Sequence, residues 1–206
     1  MIDPAQFSDV ITNPYFPLKP GTTYVLEGVR DDAPMRAEVV VTSETKTILG
    51  VRCVVVRDTV TSNGALVEGT TDWYAQKANG DVWYFGEDTK EYENGLVSST
   101  HGSWEAGVDN AQAGIIMKAD PQVGDTYRQE YRPGEAEDMA EVLRFDPSID
   151  VPAGTFRQIL VTEDTDPLNP DKIDTKYFAP NVGLVYTKRV RTGHHEELSL
   201  VEIRTP

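Results

Sequence analysis

Short runs of β-branched and aromatic residues alternate along the chain with polar turn-formers, and helical periodicity is almost absent. The runs fall at Thr22–Gly28, Arg36–Thr42, Val51–Val60, Gly69–Ala75, Asp81–Phe85, Thr126–Tyr131, Ala140–Arg144, Thr155–Thr162, Thr175–Ala179, Leu184–Val190 and Leu198–Arg204, bounded by Gly, Pro, Asn or Asp. Regularly spaced short strands with such boundaries predict an antiparallel sandwich or barrel. Asn63-Gly64 and Asn79-Gly80 predict two-residue hairpin turns, because both residue types tolerate positive φ. Asn94-Gly95 and Thr192-Gly193 predict turns of the same sort.

The pattern also repeats. Gly21-Thr22-Thr23-Tyr24 pairs with Gly124-Asp125-Thr126-Tyr127, and Ala37-Glu38-Val39-Val40 with Ala140-Glu141-Val142-Leu143. Gly50 pairs with Gly154, Trp73-Tyr74-Ala75 with Tyr177-Phe178-Ala179, and Gly80-Asp81-Val82-Trp83 with Gly183-Leu184-Val185-Tyr186. All lie at an offset of 103 (Gly21 to Gly124) or 104 (Trp73 to Tyr177). Collinear matches at one offset predict an internal duplication. The expected fold is all-β: an internally duplicated antiparallel β-barrel or curved β-sandwich, residues 1–206 forming one domain of two units, about 13–100 and 121–206.

Residues 86–120 have no counterpart in the second unit. After His101 this insert is rich in Gly and small residues, yet it carries Trp104 and the apolar triplet Ile115-Ile116-Met117. A connection of that length is functional or a linker, and its apolar content argues against a solvated linker. It is expected to act as a lid.

Lys plus Arg number 19 against 34 Asp plus Glu, a formal charge of −15. That excess disfavours nucleic acid and anionic membranes, both of which need a basic face. No apolar run approaches the ~20 residues of a membrane helix, so membrane insertion is not expected. The start, Met1-Ile2-Asp3-Pro4-Ala5-Gln6, has neither the basic nor the apolar region of a secretory signal. A cytoplasmic location is expected, the alternative being a secreted protein whose signal has been removed.

Cys53 stands alone, which excludes an internal disulfide, and its mid-strand setting reads as a buried structural thiol. There is no nucleophile elbow, phosphate loop or dinucleotide fingerprint, and no cofactor is implied. No metal is expected: His194 and His195 are adjacent and diverge in an extended chain, and the acidic stretch Asp164–Asp171 lacks the glycine and terminal glutamate of an EF-hand. Acid–base chemistry rests on His101, four residues from Glu105. The aromatic supply suggests a small-molecule cavity instead, with Tyr84, Trp104 and Met117 as its ligand-binding residues.

The motifs Asn13-Pro14-Tyr15-Phe16-Pro17-Leu18-Lys19-Pro20-Gly21-Thr22, Asp72-Trp73-Tyr74-Ala75-Gln76, Gly80-Asp81-Val82-Trp83-Tyr84-Phe85-Gly86-Glu87-Asp88 and Gly102-Ser103-Trp104-Glu105-Ala106-Gly107 resemble a widespread family of bacterial β-rich proteins of no established function. The resemblance continues through Pro121–Glu130 and Tyr177–Val185 and covers most of the chain. It implies a β-rich fold and, since members often carry a secretory signal, a secreted relative; it implies no catalytic residues. Three functions are expected in descending order: binding of a small hydrophobic molecule in a β-barrel cavity, a cofactor-free cyclase or isomerase acting on a polyketide-like substrate, and a structural or adhesive β-domain without a pocket.

Overall fold

The computed structural model describes residues 2–206, Arg191 by its backbone alone. A short 3-10 turn, Pro4–Gln6, precedes sixteen strands. The first six are β1 (Phe7–Ser8), β2 (Thr23–Arg30), β3 (Ala33–Ile48), β4 (Val51–Ser62), β5 (Ala65–Lys77) and β6 (Val82–Glu93). Three short strands follow, β7 (Leu96–Ser99), β8 (Trp104–Glu105) and β9 (Gln112–Met117). The remainder is β10 (Thr126–Arg128), β11 (Glu130–Tyr131), β12 (Met139–Val151), β13 (Gly154–Asp166), β14 (Asn169–Ala179), β15 (Gly183–Arg191) and β16 (His194–Arg204).

The protein is all-β, built on one antiparallel sheet in the order β10-β12-β13-β14-β15-β16-β2-β3-β4-β5-β6-β9-β11. The two ends of that order, β10 and β11, are consecutive stretches of chain flanking Gln129. One pairs with β12 and the other with β9, so the sheet curls into a nearly closed barrel with its seam at Gln129. Closure removes the exposed strand edges that invite aggregation. At the seam Gly114 lies so close to its neighbour that a Cβ there would stand 2.4 Å from the Gln129 carbonyl oxygen.

Local sequence accounts for most of the hairpins. Asn63 and Gly64 take φ of 50° and 78°, and Asn94 and Gly95 take 53° and 78°, the conformation a two-residue hairpin needs. Asn79-Gly80 differs from expectation. Only Gly80 has positive φ, the connection spans residues 78–81, and Asn79 uses its side chain to bond Asp81 at 2.7 Å.

Irregularities recur at related places in the two halves. The β5–β6 ladder shifts register between Trp73 and Tyr74, and the β14–β15 ladder between Tyr177 and Phe178. Gly21 and Gly124 both take positive φ, and their N–H groups donate to the carbonyls of Val41 and Val142 at 2.8 Å in each case. The ladders set β12 two residues away from the sequence match: Val39 lies opposite Tyr24, whereas Ala140 lies opposite Tyr127. A two-residue slip keeps every side chain on its original face.

Residues 86–120 are not a flap over an opening. β6 continues through Glu93, β8 and β9 hydrogen-bond to it, and β9 also carries the seam strand β11. The insert is barrel wall. The backbone groups of its strands are satisfied by ladder pairing, which a mobile lid would have to break.

Candidate functional site

Strand alternation aims Val56 and Asp58 of β4, Asp72 and Tyr74 of β5, Asp164 of β13, and Lys176 and Phe178 of β14 at one shared space. This cavity, about 230 Å³, is completed by Tyr24, Leu26, Val39, Ile116 and Leu184. Its wall is mostly apolar, with a single polar zone formed by Asp58, Asp72, Gln129, Asp164 and Lys176.

The Asn-Pro-Tyr-Phe-Pro stretch covers one end. Asn13 is buried, and its Nδ2 donates to the carbonyls of Gly80 at 3.1 Å and Lys118 at 3.0 Å, while its Oδ1 accepts from Tyr15 N at 2.9 Å. Asn181 N donates to the Pro14 carbonyl at 2.6 Å. Thus pinned, the segment lays Phe16, Pro17 and Leu18 against the cavity, with Phe16 edge-on to Tyr74 at 5.2 Å.

The polar zone is tightly bonded at all points but one. Lys176 Nζ lies 2.6 Å from Asp164 Oδ2, and Asp164 also accepts from Gln129 and Thr162, both at 3.2 Å. Tyr84 donates its hydroxyl to Asp72. Asp58 Oδ1 is shut off from solvent and has no hydrogen-bond partner. Burial, then the neighbouring Asp72 and Glu68, push the Asp58 carboxyl up to about 8. Burial raises Asp72 to about 6 against the opposing hydrogen bond from Tyr84. Burial alone would lower Lys176, but Asp164 and Asp174 outweigh it and hold the ammonium charged.

Further along the strands lies a second, polar chamber of about 440 Å³, lined by Glu68, Glu87, Glu91, Glu130, Asp138 and Asp166 among others, with Lys172 and Arg189 as its cations. Burial raises Glu87, Glu130 and Asp138, Glu130 to about 8. Arg189 clamps Asp174 through two contacts, at 2.6 and 3.2 Å, and reaches Glu196 at 3.8 Å.

The residues singled out from sequence take other positions. His101 is an exposed side chain at the rim of the polar chamber, 3.6 Å from Glu135. Glu105 instead bonds Lys46 at 2.6 Å, and that ammonium sits 3.3 Å from the Trp73 ring centroid. The expected His101–Glu105 pair does not form, because β8 ladders onto β6 and directs Glu105 towards β3. Tyr84 and Trp104 do meet, edge-to-face at 5.4 Å, and Met117 is fully buried. All three pack in the wall and core rather than on the cavity surface, where Tyr74 and Ile116 stand instead. For Met117 the reason is alternation: successive residues of β9 face opposite ways.

Cys53 is fully buried, and burial pushes its thiol up to about 12, the state of an unreactive core side chain. Asp164, read from sequence as part of an acidic loop, faces inward onto Lys176, while Asp166 accepts from Leu168 N at 2.8 Å and Asn169 Nδ2 at 2.6 Å. Sequence reasoning missed Asp58, Asp72, Asp164 and Lys176. A usable signal existed in the stretch Val54–Val60: Asp58 falls in the phase of Val54, Val56 and Val60, an acid in a buried row.

Fold and lumen together define a class: a nearly closed antiparallel β-barrel whose interior divides into an apolar cavity and an acidic chamber. No protein-family model and no curated protein matches the chain. Among solved structures, a Bacteroides fragilis protein assigned to export, with a YmcC-like fold, superposes with a TM-score of 0.52 at 14% identity, over 93% of this chain and 99% of its own. A Parabacteroides distasonis protein assigned as a lipoprotein gives a TM-score of 0.49 at 16% identity, over 93% and 99% of the two chains. The first likeness shows a shared fold. Among the described residues no helix is long and apolar enough to cross a membrane.

Proposed function

We propose that the barrel binds a small, largely apolar molecule in the cavity under Phe16–Leu18. The observation that carries this reading is a 230 Å³ space whose lining is apolar except for one polar zone. Binding sites of this kind use hydrophobic walls for affinity and a few polar groups for orientation. The space is about 230 Å³. That is below the ~300–1,000 Å³ of drug-sized sites, so the occupant is a compact ring or short chain rather than a polyketide.

The reading is tested by calorimetric titration with 2-phenylethanol, on the native protein and on Leu184→Trp. Saturable binding by the first and its loss in the second support it. Absence of heat with the native protein at millimolar ligand, or undiminished binding in Leu184→Trp, refutes it.

A second reading, acid–base catalysis on the same small molecule, draws on Asp58 and Asp72, whose values of about 8 and about 6 lie where proton transfer near neutral pH is efficient. It would replace His101 and Glu105 as the acid–base pair. On location, the export assigned to the Bacteroides fragilis protein favours the secreted alternative; fractionation of cells expressing the intact gene decides it.

A further inference from the structure

Among the carboxyl groups on the cavity, partners are unequally shared. Asp164 has Lys176 at 2.6 Å, together with Gln129 and Thr162. Asp72 has the Tyr84 hydroxyl. Asp58 takes the Thr59 backbone N–H, while its Oδ1, closed to solvent and to the cavity alike, has no partner. Three carboxyl groups therefore share one ammonium around a space otherwise lined by side chains such as Leu26, Val39, Val56 and Phe178. A carboxylate in such surroundings is stable only with a cation or a bound proton.

Resting on the small-molecule reading above, we infer that the natural occupant is a primary amine on a compact apolar body, its ammonium seated in the polar zone beside Asp58 and Asp72 and its body against the aliphatic wall. An ammonium supplies the positive charge that these carboxyl groups lack, in charge-assisted bonds stronger than neutral ones. An anionic ligand would meet uncompensated carboxylates, since Lys176 already faces Asp164. A bare divalent cation fits poorly, because the remaining wall offers too few oxygen ligands.

The experiment compares three ligands of similar size on the intact protein at pH 7: phenethylamine, 2-phenylethanol and phenylacetate. Phenethylamine should bind at least ~10-fold more tightly than the alcohol, the scale of one hydrogen bond to a charged group, and phenylacetate should not bind measurably. In Asp58→Asn the amine-to-alcohol ratio should fall ~10-fold or more. Equal affinity of alcohol and amine, or preference for phenylacetate, overturns the amine assignment while leaving the small-molecule reading standing. Failure of all three to bind overturns both. The ligand series on the native protein needs no variant, so a misfolded Asp58→Asn cannot protect the inference.

Discussion

Trp104 Nε1 donates a 2.7 Å hydrogen bond to Glu130 Oε2, tying β8, which pairs with β6, to β11 at the barrel seam. The bond joins two residues 26 apart in the chain, on short strands that have no local reason to meet. It also gives one oxygen of a buried carboxyl a fixed partner.

Trp104 is accordingly a seam residue. Trp104→Phe should cost about 1–3 kcal/mol by leaving Glu130 short of a donor, and Trp104→Ala about 3–5 kcal/mol through the added cavity. Since the indole packs behind the cavity surface, the affinity for 2-phenylethanol at temperatures well below melting should change little in Trp104→Phe. Urea unfolding and calorimetric titration of the same preparations check both halves.

Gly114 has no strained φ, but its missing side chain lets β9 approach the backbone of residues 128 and 129 closely. A Cβ at this position would lie 2.5 and 2.4 Å from their respective carbonyl oxygens. Gly114→Ala should therefore part the seam and lower stability by more than the ~1–3 kcal/mol of ordinary overpacking. Gly69→Ala is the matched control, since a Cβ there meets only the Tyr92 ring at 3.7 Å. Its stability should stay within about 1 kcal/mol of the native protein, as read by thermal melting of the pair.

Lys176 holds the only ammonium in the cavity's polar zone. Lys176→Met should destabilise by roughly 2–4 kcal/mol, at the low end for breaking a buried pair because the lysine keeps some exposure. Adding Asp164→Asn should recover part of the loss by removing the stranded charge. A double-mutant cycle in denaturant measures the recovery.

Stability should fall on the alkaline side. Asp72 is raised to about 6, and Asp58 and Glu130 to about 8, all chiefly by burial. Unfolded carboxyls titrate near 4, so the folded protein keeps these protons longer, and the stability they contribute is full below about pH 4 and is lost as pH rises from about 4 through 6 for Asp72 and through 8 for Asp58 and Glu130. The opposite slope comes from Asp174, lowered overall because Arg189 outweighs its burial, which loses stability as acid protonates it. The combined optimum should lie near pH 4, and Asp58→Asn should flatten the alkaline limb. Denaturant midpoints at pH 5, 7 and 9 check this; a native protein most stable at pH 9 would contradict it.

How much was legible in the chain follows from the range of the interactions. Alternation and turn chemistry are local, so Val51–Val60, Leu184–Val190 and the Asn63-Gly64 hairpin could be read directly, and with them the all-β class. The insert was visible as unmatched, but its role depended on β9 finding both β6 and β11, a pairing between segments far apart in sequence. The cavity was harder still. In β4 and β5 both faces are buried, Val54 and Val55, Trp73 and Tyr74 alike, so a period of two separates the faces without saying which looks inward. Strands, turns and the placing of acids in buried rows were written into the order of residues. Closure of the barrel alone decided that Asp58, Asp72, Asp164 and Lys176 share one space, because curvature, not periodicity, brings the inner faces of distant strands together.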